Sequence, residues 1–248
     1  MEMPDCFIAL GGNQGNVRET FSQALDRLNQ HPEIALIKTS QWFETAPVGS
    51  QTDATFLNGA AHLSVTLSPQ KLLHELQNVE TEMGRNRGIR WSARPLDLDL
   101  ILYDQLISDS DALVIPHPAC WYRRFVLDPL MEIAPDVMHP VKKITIKELQ
   151  QRLLNQPFRL SIAGLATIDA EHVIQELKQQ FPHVLYSIWE RAEESIPASE
   201  PTIIAWLGSG KSQTTFDSLP DLPRLNFSDW GNDTGQIVHI LQSALDFH

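Results

Sequence analysis

The sequence predicts an α+β fold in which helices cover a mostly antiparallel sheet, followed by a small α/β module. Three observations support this prediction. Segments with the period of strands interleave with segments that have the period of helices, short turn-rich links join several neighbouring strands, and a second strand–helix pattern begins beyond Pro157. We therefore expect one domain over residues 1–157 and a second over residues 158–248.

The elements of the first domain have clear start and stop signals. A buried strand is predicted over residues 6–10, and a helix follows from Asn16, which forms a capping pair with Glu19. A second helix begins after Ser68, which a proline follows, and ends near Gly84. The other elements predicted here are strands over residues 33–43, 57–66 and 96–103 and helices over residues 123–134 and from Thr145, which forms a capping box with Glu148.

The second domain repeats the alternation on a smaller scale and has no assigned role. A permissive phosphate-loop pattern, ending in Lys211 and Ser212, follows its third strand. A phosphate loop needs a helix that begins at this pair, and the residues that follow are poor helix formers, so a glycine turn is the expected structure. The elements predicted here are strands over residues 158–163, 184–189 and 202–207 and helices over residues 170–181 and 234–245.

Composition narrows the class of protein. The chain has 248 residues, of which 42% are hydrophobic, and a formal net charge of −12. The apolar fraction is too high for a disordered protein, and no apolar run reaches the roughly 20 residues that span a bilayer. The acidic balance argues against a non-specific nucleic-acid binder. Its first residues lack the features of a signal peptide, so we expect a cytoplasmic protein that binds neither nucleic acid nor membrane.

The most informative segment is the predicted strand over residues 96–103. Its leucines alternate with Asp97 and Asp99, so both carboxylates lie on one face, with backbones roughly 6.5–7 Å apart. Side chains at this spacing can converge on two hard cations such as Mg²⁺. An ordinary acidic strand face is the alternative, and a nearby group of arginines favours a polyphosphate site. These arginines are Arg85, Arg87, Arg90 and Arg94.

The run from Arg90 to Ile101 resembles the signature of the 6-hydroxymethyl-7,8-dihydropterin pyrophosphokinase family. Further stretches fit the family in the same order, and the resemblance covers about residues 5–156. Collinear matches are more specific than any single motif. These stretches are residues 8–13, 44–49, 56–58, 115–118, 123–127 and 129–135.

The resemblance implies a ferredoxin-like α/β sandwich and an enzyme of folate biosynthesis. The family transfers pyrophosphate from ATP to the hydroxymethyl group of a reduced pterin and releases AMP, with two Mg²⁺ ions as cofactors. Two alternatives stay open: a nucleotidyltransferase that uses the same metal pair, and a non-catalytic module that binds pterin or nucleotide.

The resemblance also assigns roles to single residues. Those implied in catalysis are Asp97, Asp99, Arg85 and Arg94, with both aspartates as metal ligands. Those implied in pterin binding are Thr45, Val48, Phe56, Asn58, Trp91 and Phe125. Those implied in ATP binding are Gln77, Glu80, Arg87, Leu100, His117 and Arg123. We expect Gln77 and Glu80 to lie off the leucine stripe of their helix. The resemblance implies that they face the nucleotide, and a solvated helix face is the alternative.

Two departures from the family pattern concern the nucleotide. The segment over residues 85–91 is one residue shorter than in some relatives, and Ala112 stands where an arginine can occur. Neither touches the predicted metal pair or the pterin pocket. The partners implied are ATP and a reduced hydroxymethyl pterin, and the second domain could serve a homodimer or a partner from the folate pathway.

Overall fold

The computed structural model describes residues 3–45, 55–85, 94–189, 200–208, 216, 219, 223–227 and 234–245. The chain divides into two compact units. One comprises Met1–Gln151 together with Ser243–His248, and the other comprises Arg152–Gln242. The boundary between Gln151 and Arg152 therefore lies a few residues before Pro157, where the sequence predicts it.

The N-terminal part of the chain contains strands and helices in close agreement with their sequence signals. The elements are β1 (Asp5–Gly12), α1 (Val17–Asn29), β2 (Ile34–Thr39), β3 (Phe43–Thr45), β4 (Phe56–Val65), α2 (Pro69–Glu82), β5 (Asp97–Tyr103), β6 (Ser108–Ser110), β7 (Leu113–Ile115), α3 (Arg124–Ile133) and α4 (Ile146–Leu154). The segment predicted as one strand over residues 33–43 is in fact two, β2 and β3. The short β6–β7 hairpin has no counterpart in the prediction.

An antiparallel sheet organises the first unit. Its strand order is β2-β4-β1-β5, and β3 pairs with the other part of β4. Apolar residues of α1 and α2 pack with alternate residues of the strands in one buried cluster, while α3 packs against β4. Cys6, Ile8 and Leu10 belong to this cluster, so the residues between them on β1 face the other side of the sheet.

The helix ends confirm the capping signals. Asn16 Oδ1 accepts a hydrogen bond from the Glu19 amide at 3.4 Å, and Asn16 Nδ2 donates to Glu19 Oε2 at 2.9 Å. Ser68 caps α2 through its hydroxyl, and Gly84 follows that helix with a φ of +89°. Such caps satisfy amide groups that have no partner within the helix, which is why they mark helix starts in the sequence.

The second unit is built on a parallel sheet with the strand order β11-β10-β8-β9. The remaining elements are β8 (Arg159–Ala163), α5 (Thr167–Gln180), β9 (Leu185–Trp189), β10 (Ile203–Trp206), β11 (Arg224–Asn226) and α6 (Thr234–Leu245). Ala205, the first position of the phosphate-loop pattern, lies inside β10, where it pairs with Ile162 and Leu225. The predicted strand before this pattern is thus observed, whereas Lys211 and Ser212, where the turn was expected, lie outside the described residues.

No helix in the described part of the chain is both long and apolar enough to cross a membrane.

A buried histidine gives the first unit a pH-dependent stability. His139 is 3% exposed, its Nδ1 accepts from the amides of Val141 and Lys142, and its Nε2 lies 3.6 Å from the Cys120 sulfur. Burial, together with the charge of Lys142, lowers the pKa of His139 to about 4. Because the unfolded chain then binds a proton more readily, stability falls as the pH drops from about 6.5 to 4.

We therefore expect His139→Gln to reduce the acid dependence of the unfolding free energy by on the order of 2 kcal/mol between pH 7 and pH 4. Urea unfolding at several pH values measures this dependence. His74→Gln, at an exposed position on α2, is the control and should leave it unchanged. An unchanged acid dependence in His139→Gln would contradict the assignment.

Candidate active site

One row of paired residues across the sheet places a predicted pterin-binding residue close to a predicted metal ligand. Gly11 on β1 pairs with Asn58 on β4 and with Asp97 on β5. A Cβ atom placed on Gly11 would lie 3.6 Å from Asn58 Oδ1 and 3.8 Å from Asp97 Cβ, so all three positions share one face. Because Gly11 has no side chain, the surface of β1 between the Asn58 amide and the Asp97 carboxylate stays uncovered.

The two aspartates occupy that same face. Asp99 pairs with Ala9, which is two residues from Gly11 on β1, while Leu98 and Leu100 point into the buried cluster. The predicted alternation of leucine and aspartate along β5 is thus confirmed. Small residues on β1 opposite both carboxylates leave the space in front of them unfilled by the central strand.

Arginines surround the first carboxylate. Arg85 Nη1 pairs with Asp97 Oδ1, and Arg94 Nη2 lies 3.1 Å from Asp97 Oδ2. Both arginines are partly buried, so these pairs are less screened than pairs on an open surface. The predicted grouping is therefore observed for Arg85 and Arg94 with Asp97, and both oxygens of Asp97 have a cationic partner.

The second carboxylate has a different environment. Among the residues that the structure describes, none forms an ion pair with Asp99. Burial and the neighbouring Asp97 charge raise the pKa of Asp99 to about 6, against the opposing effect of Arg123, Arg94 and Arg85. A cation shared by the two aspartates would relieve the cost of holding two negative charges on one face.

This donor set fits magnesium. The described residues include no group of three or more His, Cys, Asp or Glu side chains arranged as a metal site. Mg²⁺ is usually held by one or two carboxylates, with waters and substrate phosphates completing its shell, rather than by an all-protein cage. Asp97 and Asp99 supply the two carboxylates that such a site needs.

Glu80 does not lie where it was expected. It is 1% exposed, on the same buried stripe of α2 as Leu76, so the expectation that it lies off this stripe is wrong. Its Oε1 accepts a hydrogen bond of 2.8 Å from the amide of Leu98, between the two aspartates, and it also pairs with Arg85. The half-buried Gln77 lies one turn earlier on α2.

Asn13 is a site residue for which sequence analysis assigned no role. Its amide donates to the Arg94 carbonyl at 3.0 Å, and its Oδ1 accepts from the Arg94 amide at 2.9 Å. These two bonds fix the backbone of Arg94 just before β5. The signal was present as an asparagine directly after a strand that ends in two glycines, since short polar side chains bond readily to nearby backbone.

Three of the predicted pterin residues, Thr45, Phe56 and Asn58, lie together on β3 and β4. Asn58 is buried, and its Nδ2 donates to Thr45 Oγ1 at 2.7 Å. Thr45 on β3 pairs with the half-buried Phe56 on β4. The half-buried Phe125, at the start of α3, has the Arg123 guanidinium 5.5 Å from its ring centre.

Two of the residues implied in ATP binding, His117 and Arg123, lie in the segment between β7 and α3. The His117 amide donates to the carbonyl of Ile101, which is the extra residue of a bulge in β5. Burial, followed by the charge of Arg123, lowers the pKa of His117 to about 4, so its ring is neutral at pH 7. His117 Nδ1 accepts from the Ala119 amide at 3.2 Å, which leaves Nε2–H as the donor.

One predicted residue has its side chain away from this face, and several others lie outside the described residues. The Leu100 side chain is part of the buried cluster, so a nucleotide contact there would have to come from its backbone. Val48, Arg87 and Trp91 lie outside the described residues, as does Arg90. Ala112 is exposed in the turn between β6 and β7.

Comparisons with known proteins agree with this geometry. Residues 7–135 match the model of the 7,8-dihydro-6-hydroxymethylpterin-pyrophosphokinase (HPPK) family. The 2-amino-4-hydroxy-6-hydroxymethyldihydropteridine pyrophosphokinase of Bacillus subtilis is 42% identical over 132 residues, covering 53% of this chain and 78% of that protein. The mitochondrial folate synthesis bifunctional protein of Arabidopsis thaliana is 44% identical over 126 residues, covering 51% of this chain and 23% of that protein.

A solved structure supports the fold alone. A crystal structure of Plasmodium falciparum HPPK-DHPS aligns with a TM-score of 0.50 at 13% identity, covering 100% of this chain and 72% of that one.

Proposed function

Because the chain belongs to the HPPK family, we propose that it transfers pyrophosphate from ATP to the hydroxymethyl group of 6-hydroxymethyl-7,8-dihydropterin and releases AMP, as a step of folate biosynthesis. The observation that carries this proposal is the row Asn58–Gly11–Asp97. In this row the Asn58 amide, which suits the edge of a pterin ring, lies on one side of Gly11. The Asp97 carboxylate, which suits a metal–triphosphate complex, lies on the other side and on the same face of the sheet.

Asp97 and Asp99 would hold Mg²⁺ at this face. When bound with ATP, two such ions polarise phosphoryl oxygens, lower the pKa of the attacking hydroxyl and offset charge on the leaving group. No side chain has to act as a nucleophile. The protein's task is to orient two substrates in line and to supply positive charge, as in other phosphoryl transfers.

The residues proposed to contact ATP have two roles, which are to stabilise the transferred group and to bind the rest of the nucleotide. Arg85 and Arg94 adjoin Asp97 and would stabilise charge on the transferred group. His117 would donate to a phosphate oxygen through Nε2, because its ring is neutral. The remaining nucleotide contacts proposed are Gln77, Arg87, Arg123 and the backbone of Leu100.

The pterin pocket would lie at the other end of the row. Asn58 offers a donor and an acceptor to the amide-like edge of the ring, with its orientation held by Thr45. Phe56 and Phe125 would stack on the two ring faces. Val48 would line the pocket, and Trp91 would close over the bound substrates and exclude water.

We also propose a ferredoxin-like sandwich for the first unit. The order β1-α1-β2-β4-α2-β5 is the β-α-β-β-α-β arrangement of that class, and the sheet order β2-β4-β1-β5 supports the assignment. For residues 158–248 we propose an interaction role, either in self-association or with another folate-pathway enzyme. The bifunctional relative from Arabidopsis supports the second. Sedimentation of the full chain at the mass of one copy would contradict self-association.

The direct test mixes the full chain with ATP, Mg²⁺ and reduced hydroxymethyl pterin and identifies the nucleotide product. AMP together with a pyrophosphorylated pterin is the expected result. Release of pyrophosphate would instead indicate a nucleotidyltransferase, and binding of both ligands without turnover would indicate a non-catalytic module.

Arg94→Ala should lower turnover by about a hundredfold while changing the KM for the pterin by about twofold or less. The reason is that Arg94 adjoins Asp97 and not the β3–β4 end of the row. Steady-state kinetics with each substrate varied in turn separates the two effects. Arg18→Ala, at an exposed pair with Glu44, is the control and should behave as the unaltered protein does. Wild-type turnover in Arg94→Ala would contradict the clamp role.

A further inference from the structure

A single guanidinium nitrogen connects two carboxylates at the site. Arg85 Nη1 contacts both Glu80 Oε1 and Asp97 Oδ1. The Arg85 backbone is anchored to the same helix end, because its amide donates to the Glu80 carbonyl at 3.0 Å. The position of this guanidinium is therefore set by Glu80 on one side and by a predicted metal ligand on the other.

The two carboxylates differ in how freely they can part with Arg85. The Glu80 side chain is 2% exposed, and that of Asp97 is 19% exposed. A buried carboxylate that loses its cationic partner carries a large desolvation cost, whereas a carboxylate at an open face can exchange one cation for another. Arg85 therefore has a fixed partner in Glu80 and an exchangeable partner in Asp97.

We propose that Glu80 is a positioning residue that retains Arg85 when Arg85 leaves Asp97. In the free protein Arg85 neutralises Asp97. When a divalent cation binds at Asp97, Arg85 shifts toward Glu80 and leaves the Asp97 carboxylate free to bind the cation. The inference rests on the proposed function only in taking Asp97 as a ligand of a divalent cation. It adds to that function a residue that acts through Arg85 and touches no substrate.

The proposal requires two substitutions to act in opposite directions on metal binding. Arg85→Gln removes the competing cation from Asp97, so a divalent cation should bind the free protein more tightly. Glu80→Gln keeps an oxygen that can accept from the Leu98 amide, but it removes the charge that draws Arg85 away. Arg85 then stays on Asp97, and the cation should bind more weakly.

The experiment titrates the full chain with Mn²⁺ alone, without ATP or pterin, and counts free ion by electron paramagnetic resonance. We expect Arg85→Gln to tighten binding by about fivefold and Glu80→Gln to weaken it by about threefold. In the double variant the Glu80 effect should vanish, because Glu80 acts only through Arg85. Arg85→Lys keeps the charge and should restore binding close to that of the unaltered protein.

Matched controls come from the same helix. Glu75→Gln removes a partly buried carboxylate on α2 that pairs with Arg27 at 3.4 Å, and Arg27→Gln removes its partner. Both should leave Mn²⁺ binding unchanged. Circular dichroism checks that each variant folds, and Glu80→Asp, which shortens the reach of the charge, replaces Glu80→Gln if the latter does not.

Two results would overturn the proposal. One is a Glu80 effect of equal size with and without Arg85, since that is what a general change of charge predicts. The other is Mn²⁺ binding that does not tighten in Arg85→Gln. Neither depends on turnover, so a chain that couples these residues but releases no AMP would contradict the proposed function alone.

Discussion

Asp99→Asn should lower turnover by about a thousandfold or more while leaving the fold intact. Asparagine has nearly the same shape but lacks the negative charge, so it cannot replace a carboxylate as a ligand for a hard cation. Asp99 is the aspartate without an ion pair among the described residues, so the fold does not need its charge as a counterion. Single-turnover measurement of AMP release at saturating ATP and Mg²⁺ gives the rate.

The control for this prediction is Asp109→Asn, at an exposed position on β6, which should retain full activity. Pterin affinity in Asp99→Asn should also be close to normal, because Asn58 and Thr45 lie across β1 from the carboxylates. Turnover within tenfold of the unaltered protein would remove Asp99 from the metal site.

Gly11→Val should lower kcat/KM by about a hundredfold or more and act on both substrates at once. The first added carbon would lie at ordinary contact distance from Asn58 and Asp97, so the strand can accept it. The two further methyl groups would fill the space over β1 between the Asn58 amide and the Asp97 carboxylate. The variant should therefore fold with nearly unchanged stability and bind both substrates poorly.

A graded series separates this effect from general damage. Gly11→Ala should have a much smaller effect, because its single carbon meets neighbours at 3.6 and 3.8 Å. Thermal unfolding together with the KM for ATP and for the pterin would follow the series. Normal KM values in Gly11→Val would show that the two substrates do not meet over this position.

Local signals explain why much of the fold could be predicted. The capping pair at Asn16 and the Thr145–Glu148 pair depend on residues three apart, and the structure contains both. Likewise, the alternation along β5 depends only on strand geometry, which puts Asp97 and Asp99 on one face wherever the strand lies. The site's acidic pair could thus be predicted from the sequence alone.

Features set by tertiary packing could not be predicted in this way. The bulge at Ile101 shifts the register of β5 against β1 and presents a carbonyl to the His117 amide, and no local residue preference requires it. Glu80 is a charged residue at a buried position of α2, where the Leu98 amide and Arg85 are among the partners that offset the cost of its burial. Leu98 lies on a different element, 18 residues further along the chain, so the helical pattern of α2 does not indicate this partner.

The division of the chain has a consequence for genetic dissection. Because Ser243–His248 group with Met1–Gln151, the unit Arg152–Gln242 lies in the sequence between two segments of the first unit. Arg124 on α3 donates to the carbonyl of Leu245 at 3.4 Å within the first unit. A stop codon after residue 157 would therefore remove part of the first unit together with the second, including the carbonyl to which Arg124 donates.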